Sequence, residues 1–153
     1  MGRCLQVCLA FCFASALSAC EEPGDEPYLK IVGGGFMFNL RYSRATYGFV
    51  ARQLRTLPEG SVLEASFDLP GRDIKYIETQ PAFPGKLQYK FETNGLFGIR
   101  KNTPYKVKLR LLEAKTGKEL AVVEHSFQSD IDQEGLPTKP PILPGAGYEL
   151  APE

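Results

Sequence analysis

The feature that most limits what this chain can fold into is a strict two-residue alternation of apolar and polar side chains. Leu63, Ala65, Phe67 and Leu69 alternate with Glu64, Ser66 and Asp68. Leu87, Tyr89 and Phe91 alternate with Gln88, Lys90 and Glu92. Val107, Leu109 and Leu111 alternate with Lys106, Lys108 and Arg110, and Phe36, Phe38, Leu40 and Tyr42 share one face of a further run. Side chains of a strand point to opposite faces in turn, so this pattern describes strands with one face buried. Turn pairs separate the runs: Pro58-Glu59-Gly60, Pro70-Gly71, Pro84-Gly85, Asn94-Gly95 and Thr116-Gly117. Residues 46–57 fit a helical stripe through Tyr47, Val50, Ala51 and Leu54, yet Gly48 and early aromatic and β-branched residues favour a strand. About seven strands and no clear helix lie between Tyr28 and Asp130, which predicts an all-β sandwich.

The last hairpin has a readable register. A three-residue loop at Lys115-Thr116-Gly117 sets Ala114 against Lys118. Leu111 then faces Ala121, Leu109 faces Val123, Val107 faces His125 and Tyr105 faces Phe127. Lys108 meets Glu124 on the other face. A one-residue slip would set Leu109 against Glu124, so the apolar pattern selects the first register. It leaves Leu112, Leu120 and Val122 on the nominally polar face, with Leu112 opposite Leu120. That patch is expected either to be covered by the C-terminal tail or to bind a partner.

Ile99 to Leu109, with Asn102-Thr103-Pro104-Tyr105 at its centre, resembles the loop into the sixth strand of fibronectin type III domains, a branch of the immunoglobulin-like sandwiches. The resemblance covers about eleven residues. It implies that Tyr105 is a corner tyrosine whose hydroxyl bonds back to nearby backbone. It also implies an early core tryptophan, and this chain has no Trp.

The first nineteen residues carry Arg3 and then an apolar run from Leu5 to Leu17, too short to span a bilayer as a stable helix. They read as a secretory leader. Leu17-Ser18-Ala19-Cys20 resembles the bacterial lipobox at all four positions. The resemblance implies cleavage before Cys20, lipidation of that cysteine, and a protein anchored in the bacterial cell envelope by two or three acyl chains, facing the periplasm or the cell surface. Cys4, Cys8 and Cys12 would leave with the leader, and lipidation would use the last thiol. Disulfides, cysteine nucleophiles and zinc–thiolate sites are then excluded. Residues 20–27 form an acidic tether, 28–130 the sandwich and 131–153 a proline-rich tail, which can be neither helix nor inner strand.

Chemistry is scarce. The 18 basic and 18 acidic side chains are interspersed and give no footprint for nucleic acid. Lys30-Ile31-Val32-Gly33-Gly34-Gly35 resembles the activation terminus of chymotrypsin-type proteases. Their triad is absent, however, since His125 is the one histidine and no Gly-Asp-Ser-Gly stretch exists. No Lys-Ser/Thr follows these glycines and a strand-like run does, so they do not form a nucleotide loop. Gly34 is expected to bend or bulge the backbone at the joint between tether and sandwich. His125 is expected to be a hydrogen-bonded core residue. Asp130, Asp132 and Glu134, with Gly135 at the sixth position, resemble the opening of a calcium loop, although Pro141 stands where the bidentate Glu belongs. The expectation is a non-catalytic envelope lipoprotein without a cofactor, binding or scaffolding another envelope protein. A ligand-binding or weakly calcium-binding module is the alternative, and a hydrolase a distant third.

Overall fold

The computed structural model describes residues 26–137, Lys139, and the backbone of residues 142–143 and 149–150. Cys20 and the leader lie outside the described residues. Seven strands build a β-sandwich: β1 (Leu29–Asn39), β2 (Arg44–Gln53), β3 (Ser61–Leu69), β4 (Arg72–Pro81), β5 (Gln88–Glu92), β6 (Pro104–Glu113) and β7 (Glu119–Gln128). One sheet has the order β1-β2-β5 and the other β4-β3-β6-β7, and every named pairing is antiparallel. This is the three-plus-four division of an immunoglobulin-like sandwich. Two short strands of the tail, β8 (Ile142–Leu143) and β9 (Glu149–Leu150), pair with each other.

The inward alternation makes the core. Tyr47, Phe49 and Ala51 of β2 meet Leu63, Ala65 and Phe67 of β3 and Val107, Leu109 and Leu111 of β6, with Tyr89 and Phe91 of β5 closing one side. Where the resemblance implies a core tryptophan, aromatic pairs fill the space. Tyr47 meets Phe67 edge-on at 5.2 Å, and Phe49 packs against Phe67 at 5.4 Å and Phe91 at 5.3 Å. Burying large apolar rings is worth roughly 1.5–3 kcal/mol each, so this cluster anchors a fold without disulfides.

Residues 44–53 are strand, as the glycine and the early aromatics indicate. Three local expectations are corrected. The glycine run is not a joint ahead of the first strand, because β1 already starts at Leu29 and pairs with β2 through it. A bulge at Val32 accounts for the phase change: Ile31 pairs with Ala51 while Gly33 pairs with Val50. Leu29 and Ile31 point inward before it, Phe36 and Phe38 after it. Leu40 and Tyr42 do not continue that face. They sit in a 3-10 turn and are half exposed, because the chain must reverse into β2 within a few residues. Leu87 lies one residue before β5 and is 66% exposed, unlike Tyr89 and Phe91.

The β6–β7 register holds over most of its length: Tyr105 pairs with Phe127, Val107 with His125, Lys108 with Glu124, Leu109 with Val123 and Leu111 with Ala121. It breaks at the loop. Leu112 pairs with Glu119, not Leu120, because Leu120 is the extra residue of a bulge. The turn is accordingly four residues long, closed by Glu113 and Lys118 through a 2.9 Å backbone bond, with Gly117 left-handed at φ +70°. The bulge turns Leu120 toward the core, which repays the irregular ladder with apolar burial.

Candidate functional site

The two ends of the sandwich differ, and the strand order decides which residues collect at each. Odd strands and even strands run in opposite directions within each sheet. The loop between β4 and β5 therefore comes to the end where β1 begins, beside the connection from β2 to β3 and the β6–β7 turn. The β1–β2 turn, the β3–β4 turn, the β5–β6 loop and the exit from β7 meet at the opposite end.

That opposite, distal end is built around Tyr105. Its hydroxyl accepts a hydrogen bond from the Arg100 amide at 2.8 Å, fixing the β5–β6 loop on the strand that follows it. The exit from β7 is pinned to the same loop. The Gln133 side chain donates to Leu96 O at 2.7 Å and accepts from the Ile99 amide at 3.2 Å, and Gln133 N donates to Ile99 O at 2.9 Å. Asp132 accepts from the Lys101 amide at 2.8 Å, and Glu134 pairs with Arg100. These bonds correct the calcium expectation. Asp130, Asp132 and Glu134 do not gather around a common point, and among the described residues no cluster of three acidic, His or Cys side chains is placed to hold a metal ion. Asp132 and Glu134 instead cap and pair with the β5–β6 loop.

With that frame fixed, the distal end displays apolar side chains to solvent. Phe97 is 71% exposed, and Leu40, Tyr42 and Ile131 are each close to half exposed. Leu40, Phe97, Leu136 and Pro137 line a shallow notch with Phe38 and Ser43, too small for more than water-sized occupants. The alternation sets Leu40 and Tyr42 on the apolar face of a strand and carries no signal for Phe97, Ile131, Leu136 and Pro137, which lie in loops. Below the notch, Tyr47 reaches across the core and donates to Asp68 O at 2.8 Å. Burial, helped by the nearby Asp68 carboxylate, pushes its phenol far above the usual tyrosine range.

The hairpin patch is not one surface. Leu120 packs on the core, Leu112 is half-buried on the outer face, and Val122 is exposed. Most of the tail that was expected to cover it lies outside the described residues. His125 is also corrected. It holds the inner-face register opposite Val107, but β7 is an edge strand and the imidazole is exposed, meeting the Phe127 ring edge-on at 4.6 Å. The outer face of the four-stranded sheet is a lattice of paired charges: Arg110 with Glu64 and Glu119, Lys108 with Glu124 at 2.6 Å, and Lys75 with Asp68. The pairing with Glu64 raises the Arg110 guanidinium further, and the Lys108 bond lowers the Glu124 carboxyl.

The tether end carries further exposed apolar side chains. Phe83 is 54% and Leu87 66% exposed, on a loop packed beside Leu57 and Pro58. No protein-family model matches this chain, and no curated protein matches it.

Proposed function

We propose that this chain is a non-catalytic lipoprotein of the bacterial cell envelope, anchored through Cys20, whose sandwich binds or scaffolds another envelope protein at the membrane surface. The observation that carries the reading is the run Leu17-Ser18-Ala19-Cys20, followed after eight residues by the first residue of the folded domain. A lipidated cysteine at that distance holds the domain against the bilayer and consumes the one thiol left after cleavage. Two or more acyl chains give stable anchoring where one gives only marginal binding.

The binding role is supported by the distal end. Exposed rings and aliphatic side chains held on a braced loop form the kind of patch that protein partners cover. Its notch has room only for water-sized occupants, and the larger hollow between the β3–β4 turn and Tyr105 is lined by Asp68, Arg72, Asp73 and Arg100, so neither is the deep, mostly apolar pocket that a small molecule favours. A catalytic role has little to build on. The exposed His125 is backed by a phenylalanine ring, and Glu64, Asp68, Glu119 and Glu124 of the four-stranded sheet are engaged in ion pairs.

The anchor is tested by Cys20→Ala. In membrane fractionation the wild type should sediment with membranes and the variant should not be processed to the lipidated form. The mass of the purified wild-type N-terminus should include the acyl chains. Unchanged fractionation together with an unmodified N-terminus would sink the reading.

A further inference from the structure

We infer that the tether end of the sandwich docks on the phospholipid bilayer, with Phe83 and Leu87 immersed in its interface. The inference rests on the anchor at Cys20 and adds the face and orientation with which the domain meets the membrane.

The loop from Ala82 to Leu87 reads Ala-Phe-Pro-Gly-Lys-Leu and holds no acidic residue. Its two large apolar side chains are both more than half exposed. They are not exposed because the loop is loose. Lys86 N donates to Phe83 O at 3.2 Å, closing a tight turn with Pro84 and the left-handed Gly85, φ +78°, at its centre. The hydroxyl of the buried Tyr89 accepts from Phe83 N at 3.1 Å and donates to Phe83 O at 3.3 Å. The Phe83 backbone is thus clasped on both its polar groups, and its ring is presented on a fixed tip. Immersing a tip already held this way costs little ordering entropy. The one charge on the loop, Lys86, lies against the Tyr89 ring at 4.7 Å and near the Phe83 ring at 5.9 Å. A cation beside an apolar tip suits an anionic lipid surface.

The strand ladder places this tip next to the tether. Leu54 N donates to Tyr28 O at 2.9 Å, and Gln53 N donates to Leu87 O at 2.8 Å. Tyr28 and Leu87 therefore flank the end of β2, about 10 Å apart at the usual strand spacing. The entry is secured by Arg55, whose guanidinium lies over the Tyr28 ring at 4.5 Å and donates to Glu26 O at 3.1 Å.

Chain length then decides which end meets the lipid. Seven residues lie between Cys20 and Tyr28, and the eight residue steps reach at most about 28 Å when fully extended. The eleven residues of β1 run about 36 Å from the tether end to the distal end. A lipidated Cys20 cannot let the domain stand on its distal end, because the tether would have to span the whole length of the sandwich. It brings the Phe83 tip down to the bilayer and leaves Tyr42 and Phe97 facing outward.

The test uses the lipidated protein purified from membranes, in which lipidation leaves no other thiol. A polarity-sensitive fluorophore is attached at Pro84→Cys, or at Asp73→Cys on the distal end, and the protein is reconstituted into phosphatidylethanolamine–phosphatidylglycerol vesicles. The probe at 84 should be quenched at least twofold more by nitroxide-labelled lipid than the probe at 73, and shielded from iodide. Adding Phe83→Ser and Leu87→Ser should remove that difference while the protein stays on the vesicles. Vesicle-bound protein whose probe at 84 is as open to iodide as that at 73 would overturn the docking and leave the anchor standing. Shielding from iodide without lipid quenching would assign the tip to a protein contact and overturn it too. Protein without acyl chains that does not load onto vesicles would overturn both readings.

Discussion

The Glu78 carboxylate accepts a hydrogen bond from the Glu92 backbone amide at 3.0 Å, joining the two sheets across one open side of the sandwich. Gln80 repeats the device two residues on, donating to Lys90 O at 2.6 Å and to the Glu78 carboxylate at 3.0 Å. Both β4 and β5 are edge strands, whose free backbone groups would otherwise offer a template for another chain. Side chains of one edge satisfy the backbone of the other. Glu78→Ala should therefore lower stability by about 1–2 kcal/mol, with Glu78→Gln losing less because it keeps an acceptor. Urea unfolding midpoints check this, and light scattering should show faster association of the alanine variant.

On the opposite side the sandwich closes by proximity. A Cβ on Gly34 would come within 2.5 Å of both Gly48 O and Phe127 Cζ. One of these atoms is backbone, so trimming the ring cannot relieve the clash. Gly34→Val should cost more than about 2 kcal/mol, and Phe127→Leu should not rescue it. Thermal unfolding of the single and double variants measures both effects. Membrane fractionation of the residual folded protein should be unchanged, since the anchor lies elsewhere.

Alkaline pH has a specific target. The Tyr47 phenol is raised well above its unfolded value of about 10, chiefly by burial and next by the Asp68 charge. A raised value means that the folded state holds its proton where the unfolded state releases it. The stabilisation is complete below about pH 10 and is lost as pH rises beyond it. Tyr47→Phe removes the 2.8 Å bond to Asp68 O and should cost about 1–2 kcal/mol at neutral pH. It should also flatten the decline of stability above pH 10. An equally steep decline in the variant would assign that limb to other groups.

Much of this architecture is written in the alternation. The β6–β7 register is legible because Leu109 and Val107 would otherwise face charge, and Tyr105 makes the back-bond to the loop that the Thr-Pro-Tyr corner implies. The misreadings fall where local backbone freedom overrides the pattern. The Val32 and Leu120 bulges each insert one residue, which switches every side chain beyond it to the other face. Periodicity cannot place such an insertion, because a half-buried leucine and a half-exposed one look alike in sequence. His125 departs from the pattern for a related reason. Alternation assigns a face, whereas exposure also depends on whether the strand is an edge, and that is a property of the whole sheet order. The distal patch is not legible because Phe97 lies in a loop, and because the alternation continues Leu40 and Tyr42 as strand residues where the chain in fact turns into β2. The bonds of Gln133 and Tyr105 hold the β5–β6 loop to the exit from β7, and the Leu96 amide, donating to Ala45 O at 2.7 Å, sets that loop beside the start of β2.

The distal patch can be separated from the hairpin patch by one pair of variants. Phe97 is 71% exposed, so Phe97→Asp should leave unfolding within about 0.5 kcal/mol of wild type. If the patch holds the partner, the same change should weaken the complex about fivefold or more, since losing an aromatic at the centre of an interface costs over about 1 kcal/mol. Leu112 is half-buried on the outer face of β6, and Leu112→Asp should lower stability without selecting against the partner. Chemical crosslinking in intact membranes, followed by pull-down, reads both outcomes in one experiment. A complex that survives Phe97→Asp but is lost in a stably folded Leu112→Asp would move the binding surface to the β6–β7 hairpin.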